Sequence, residues 1–268
     1  MNDQLPLKYT DPYLMTQAEH YLRDTRPEEY RKLKSILSAY VQKDRFNNVI
    51  MVTSSVSGEG KSLTSLNLAI TLAQELDHTV LLVDADLRKP SIQEYLGLKH
   101  SKGLSDHLTA GIPLNDLMIK TGIGRLTLLP AGTPLKNPVE LFSSLKMREF
   151  ISDIKNRYHD RFIIIDTPPV LPFAESRSLS KIVDGVVFVI REGQSTPDNI
   201  SEAMKSLDET KMVGAVYNAA TMASLNGRYH SYYYGYGYSK REKEGKGKAA
   251  EDLKQRPAVT FMKRMFNR

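Results

Sequence analysis

The sequence contains no cysteine and no tryptophan among its 268 residues. Without thiols there can be no disulfide, no cysteine nucleophile, no Cys-ligated zinc and no iron–sulfur cluster. That suits a reducing compartment, and a cytoplasmic location is expected. Long apolar runs are also missing: none approaches the roughly 18 residues that cross a bilayer. The first 30 residues, with Asp3, Asp11, Glu19 and Asp24 among them, lack the apolar core of a signal peptide. Surplus charge is absent from most of the chain. Residues 239–268 hold ten Lys/Arg against four Asp/Glu, which accounts for the entire net charge of +6. A basic tail on a neutral body points to tethering and away from nucleic-acid binding.

What is present is a phosphate-binding pattern. The apolar run Val49 to Val52 reads as a buried strand, and Thr53 to Ser62 follows as TSSVSGEGKS, opening an apolar-rich helix with Leu63, Leu66, Leu68, Ile70, Leu72 and Leu76. A strand, a glycine-containing turn and Lys-Ser at a helix start form a P-loop, although Ser55 stands where the pattern G-x-x-x-x-G-K-[ST] has its first glycine. Curled backbone N–H groups and the helix N-terminus attract polyphosphate. Ser57, Gly58, Glu59, Gly60, Lys61, Ser62 and Leu63 are the candidate nucleotide contacts. Lys61 is expected to reach the outer phosphates, and the Ser62 hydroxyl to be a ligand of the accompanying Mg²⁺.

Two further strand ends carry acids. Thr79 to Val83 closes on Asp84-Ala85-Asp86-Leu87-Arg88-Lys89-Pro90, and Phe162 to Ile165 closes on Asp166-Thr167-Pro168-Pro169. Carboxylates at the C-terminal ends of buried strands lie where open α/β sheets hold their ligands. Together with the P-loop they describe a Mg-nucleotide phosphoryl-transfer site with one acid more than a P-loop Mg²⁺ usually requires. The spare acid suits an acceptor such as a phenol, whose pKa near 10 demands a base.

The rest of the chain alternates in kind. Glu28 to Tyr40 has helical periodicity (Tyr30, Leu33, Ile36, Leu37, Tyr40), with Pro27 in the first turn. Residues 91–124 are poorly periodic, Leu104 to Leu108 excepted. Arg125 to Leu129 reads as a strand. Pro138 to Tyr158 reads as one long helix with Val139, Leu141, Phe142, Leu145, Phe150, Ile151 and Ile154 inward. Val186 to Ile190 is a strand, Pro197 to Leu207 a helix, and Val213 to Tyr217 a last strand ending at Asn218. This alternation predicts an α/β fold: a parallel twisted sheet with helices on both faces, joined by right-handed crossovers. From 227 the pattern stops. Six of the 14 tyrosines, Tyr229, Tyr232, Tyr233, Tyr234, Tyr236 and Tyr238, fall within ten positions, with no apolar period to support a strand or helix. They are the natural acceptor, tethered at high effective concentration. The basic tail beyond them is expected to lack regular structure.

These motifs, in this order, resemble the bacterial tyrosine kinases of capsule and exopolysaccharide export. The likeness runs over about residues 28–238 and includes Leu129-Pro130-Ala131-Gly132 and Asn137-Pro138-Val139-Glu140-Leu141. The resemblance implies a deviant-Walker P-loop fold and an ATP- and Mg²⁺-dependent autokinase acting on the tyrosine cluster, with Asp84 as base. Ser62, Asp86 and Asp166 would surround the metal, and Asn218 would contact adenine. It also implies a ring-like homo-oligomer built through Glu28-x-x-Arg31-x-x-Lys34, where the family has arginine at the third position, and it has proline at Ser57. A separate membrane protein acting as activator and polysaccharide chain-length regulator would hold the kinase at the inner face of the membrane. A cognate phosphotyrosine phosphatase would reverse the reaction. The domain plan is then an irregular segment 1–26, a kinase domain 27–226, the tyrosine cluster 227–240 and a basic tail 241–268. The strongest rival is a partition or division-site ATPase with water as acceptor, but those place a second lysine where Val56 stands. A nucleotide-binding scaffold with adhesive tyrosines is a third reading.

Overall fold

The computed structural model describes residues 27–41, 47–74, 78–99, 101–157, 161–221 and 258–262. The tyrosine cluster, residues 1–26 and the remainder of the basic tail lie outside the described residues. Branched apolar runs form the central strands: β1 (Val49–Ser54), β2 (Thr79–Asp84), β5 (Arg161–Asp166) and β6 (Gly185–Arg191), buried on both faces. Around them stand β3 (Ile119–Lys120), β4 (Leu126–Leu129), β7 (Met212–Ala220) and β8 (Ala258–Met262), in the order β3-β4-β2-β5-β1-β6-β7-β8. The six inner strands from β4 to β7 form five parallel pairs, as expected. Both edges depart from that expectation, because β3 and β8 pair antiparallel. Strand β8 also corrects the reading of the tail as wholly without regular structure.

Alternation along each strand sends side chains into two cores. Ile50, Val52, Val80, Leu82 and Ile164 meet helix α1 (Pro27–Val41) and helix α2 (Lys61–Ala73) on one face. On the other face Met51, Leu81, Val83, Ile163 and Ile165 meet a larger set of helices. These are α4 (Leu104–Ala110), α5 (Leu114–Leu117), α6 (Val139–Ser143), α7 (Leu145–Arg157), α8 (Glu175–Ser180) and α9 (Pro197–Lys205), with the short α3 (Ile92–Tyr95) packing on the first face. Helix α2 is buried on nearly every side from Ser62 to Ala73, so it is a central helix clamped between sheet and α1.

The long helix expected from 138 to 158 is two helices. Ser144 leaves helical geometry at ψ 160°, its hydroxyl donating to Leu141 O at 2.7 Å and accepting from Met147 N at 3.2 Å. A serine that caps the following turn competes with helix continuation. The break also turns Leu145 outward, 68% exposed, against the expectation that it packs inward. Among the described residues no helix is long and apolar enough to cross a membrane.

Candidate active site

The P-loop sits at the C-terminal end of β1, between β5 and β6. Gly58 and Gly60 adopt φ of 86° and 89°, the left-handed region in which a side chain is strained. At Gly60 a Cβ would lie 2.1 Å from Asn218 Nδ2, so glycine is required twice over. Asn218, at the end of β7, donates to Glu59 O at 2.8 Å and accepts from Ala219 N at 2.8 Å. It thus braces the loop from the far side of β6.

Glu59 behaves differently from a phosphate contact. Its side chain is fully buried, and it accepts from Val56 N at 3.0 Å, Arg191 N at 3.3 Å and Ser195 Oγ at 2.9 Å. Arg191 Nη1 donates to Gly58 O at 3.1 Å, and Gln194 Nε2 to Ser57 O at 3.2 Å. These residues at and just after the end of β6 clamp the P-loop, a role that no motif in the sequence signalled.

Parallel pairing brings the acids together. Asp84 and Asp166 are register partners at the ends of β2 and β5, which places their backbones about 5 Å apart. Asp86 N donates to Asp84 Oδ1, and Ser91 N and Ile92 N donate to Asp84 Oδ2, all at 3.2 Å. Asp86 Oδ2 takes Lys61 Nζ at 2.7 Å, and its Oδ1 takes Lys89 N at 3.0 Å. Ser65, one turn beyond Lys61 on α2, donates to Asp166 Oδ1 at 3.1 Å. The helical spacing of Lys61 and Ser65 was readable in the sequence, although Ser65 was not singled out. Of the candidate residues, the structure gathers Lys61, Ser62, Asp84, Asp86 and Asp166 in one place and joins Asn218 to the loop. Leu63 lies half-buried on α2, away from this cluster's hydrogen bonds.

Electrostatics show what the cluster lacks. Burial drives the Asp84 carboxyl well above its usual range, and the neighbouring Asp166 charge pushes it further. Burial raises Asp166 to about 6, despite Lys61 and the Ser62 hydroxyl, which pull it down. Burial alone would lower Lys61, but Asp166, Asp86 and Asp84 outweigh it and its pKa ends above the ordinary value. Three acids face one ammonium, and Asp166 Oδ2 is buried with no partner. An orphaned carboxylate oxygen in a net-negative pocket fits a divalent cation. Among the described residues no three His, Cys, Asp or Glu side chains converge closely enough to hold a metal alone. A cation there would need oxygen ligands from outside the protein, which is how Mg²⁺ is held with phosphate and water.

Beside the cluster, Arg88 Nε pairs with the buried Glu175 Oε1 at 2.7 Å, and its guanidinium lies 4.4 Å from the Phe173 ring centroid. This ties the loop after β2 to the loop after β5. Glu28 and Arg31 form an exposed ion pair at 3.1 Å on α1, with Lys34 half-buried on the same helix.

Residues 47–213 match the AAA domain family. The tyrosine-protein kinase YwqD of Bacillus subtilis (strain 168) is 33% identical over 198 residues, covering 73% of this chain and 82% of that protein. The kinase domain of Escherichia coli tyrosine kinase ETK superposes with a TM-score of 0.68 at 27% identity, over 81% of this chain and 83% of that one. The septum site-determining protein MinD of Pyrococcus horikoshii OT3, solved with Mg-ADP, reaches 0.53 at 24% identity, over 63% of this chain and 68% of that one. The MinD likeness bears on the fold alone. With a P-loop flanked by two acidic strand ends, and with these relatives, the chain belongs to the AAA domain family and, within it, to the bacterial tyrosine-protein kinases.

Proposed function

We propose that the chain transfers the terminal phosphoryl group of Mg-ATP to hydroxyls of its own tyrosine cluster, Tyr229, Tyr232, Tyr233, Tyr234, Tyr236 and Tyr238. Each segment enters the site of a neighbouring copy in a ring formed through Glu28, Arg31 and Lys34. The output is control of exopolysaccharide or capsule polymerisation and export, in concert with a separate membrane activator and a cognate phosphatase. The observation that carries this reading is the juxtaposition of Lys61, Ser62, Asp84, Asp86 and Asp166 at adjoining strand ends, in a chain whose relatives are tyrosine kinases.

The roles follow from the surroundings of each group. Backbone N–H groups of Gly58 to Ser62 line the cradle, and Lys61 leaves Asp86 to meet the outer phosphates. Ser62, Asp86 and Asp166 would hold the magnesium ion, which neutralises charge on the transferring phosphoryl oxygens. Asp84 takes the phenolic proton: its burial makes it a stronger base than an exposed carboxylate, as a phenol acceptor requires. Asn218, fixed on the P-loop carbonyl of Glu59, borders the space for adenine.

Incubation with Mg-ATP followed by anti-phosphotyrosine detection tests the reading. Labelling is expected in the intact chain. It should vanish in Lys61→Met, in Asp84→Asn and in a chain ending at Asn226. Hydrolysis of ATP with no phosphotyrosine, even with the membrane activator present, would instead favour water as acceptor.

A further inference from the structure

The sheet continues past its last parallel strand. Strand β8 lies antiparallel on β7, pairing Ala215 with Met262, Val216 with Phe261, and Tyr217 with Thr260; after a bulge, Ala220 pairs with Ala258. It also runs beside α1. The sequence Ala-Val-Thr-Phe-Met is rich in residues that favour strands. The 37 residues from 221 to 257 hold all six clustered tyrosines, and both ends of that stretch are fixed on one sheet edge. Because β7 is parallel to β1, β2 and β5, Ala220 and Ala258 sit at the edge of the sheet that carries Lys61 and the three acids.

A sheet edge that accepts an extended strand binds it through main-chain hydrogen bonds. We propose that the edge of β7 is a second substrate-binding site, outside the catalytic pocket. Its occupant is this chain's own strand Ala258–Met262, which retains the tyrosine segment on the kinase as a closed loop. The proposal rests on the reading that this cluster is the acceptor. Reach permits it: Tyr229 is nine residues from Ala220 and Tyr238 is 20 residues from Ala258, spans of up to about 30 and 65 Å at roughly 3.3 Å per residue. The catalytic end of β1 is two strands from β7, roughly 10 Å. Pinning the far end of a loop this long costs only slightly more entropy than closing a shorter one, and it presents the tyrosines at the catalytic edge, where the pocket of an adjoining copy can take them.

The test uses the full-length chain with Thr260→Pro and, separately, Phe261→Pro. Successive strand N–H groups point to opposite sides, so one of the two must delete a ladder donor. Thr260→Val keeps the strand and serves as control. Hydrogen exchange at Ala215 to Tyr217 and Ala220 reads docking. Autophosphorylation and phosphorylation of a free tyrosine peptide, both with Mg-ATP, read function. The expected result is faster exchange in at least one proline variant, with autophosphorylation down at least about fivefold and activity on the free peptide unchanged. Exchange that is equally fast in wild type and both proline variants would show no docked strand and overturn the proposal. So would faster exchange with undiminished autophosphorylation. An equal loss on the free peptide would make β8 a brace for Asn218 and the nucleotide site, which also overturns it. A wild-type protein that labels neither itself nor the peptide removes the kinase reading and this proposal together, and the exchange data separate that failure from a failure of docking.

Discussion

Lys61 and Asp86, 25 residues apart in the chain, meet Nζ to Oδ2 at 2.7 Å with their side chains only 12% and 4% exposed. The P-loop lysine is thus the sole cation that the described structure sets directly on the acids at the ends of β2 and β5. Removing one partner of a buried pair leaves an uncompensated charge, which costs more than the pair contributes. Lys61→Met should therefore lose phosphotyrosine formation and also melt earlier at neutral pH, by about 2 kcal/mol or more. The stability loss should shrink as pH falls and the acids take up protons. A melting curve at pH 5 and pH 7.5 decides; equal losses at both would mean that the acids do not feel the lysine.

Asp166 gives a prediction of opposite sign. Its folded pKa of about 6 exceeds the usual 3.8, so the native state holds a proton that the unfolded chain has released. Its contribution to stability is fully present below pH 4, declines between about 4 and 6, and is gone above 6. Asp84, raised in the same direction and next to it, adds to the trend. Asp166→Asn should accordingly raise the stability of the nucleotide-free protein at pH 7.5 by roughly 2 to 3 kcal/mol, make no difference near pH 4, and abolish kinase activity. A variant no more stable than wild type at pH 7.5 would sink the assignment of a buried, strained acid.

At Gly60 a methyl group would stand 2.1 Å from Asn218 Nδ2 on a backbone with φ of 89°. Asn218 can swing away, but only by releasing Glu59 O, and the backbone strain remains. Gly60→Ala should fold, lose about tenfold or more in nucleotide affinity, and cost about 1 to 2 kcal/mol in stability. Titration with a fluorescent ATP analogue measures the first. Wild-type affinity would show that the Asn218 brace is dispensable.

The grouping of the acids around the P-loop was legible because Asp84 and Asp166 sit where apolar strands stop, and Lys61 opens the helix that follows a third such strand. The pairing of Lys61 with Asp86 follows from that placement. What could not be read is the clamp on the P-loop. Arg191 and Ser195 meet Glu59, and Gln194 meets Ser57, through contacts 132 or more residues distant in the chain, and an isolated glutamate in a glycine loop looks solvated. The helix break at Ser144 was hidden because Val139 to Ile154 keeps helical periodicity across it; only the serine's competing hydrogen bonds decide. Strand β8 was hidden because its five residues lie in a basic, weakly apolar tail. Strand pairing is set by the open edge of β7, which local sequence does not display.

The proposed ring would form through α1, where Glu28 and Arg31 pair at 3.1 Å with more than 60% of each side chain exposed. An exposed pair of this kind contributes little to folding, a few tenths of a kcal/mol, so changes here should leave the melting temperature nearly fixed. Arg31→Ala is expected to weaken self-association and to lower autophosphorylation most at low protein concentration. Lys34→Arg exchanges a point charge for a planar, two-pronged donor and should strengthen the oligomer. Light scattering across a concentration series, in parallel with phosphotyrosine detection, separates the two effects. If both variants scatter like wild type while labelling stays first order in protein, the helix face is only a solvated surface and transfer takes place within one copy.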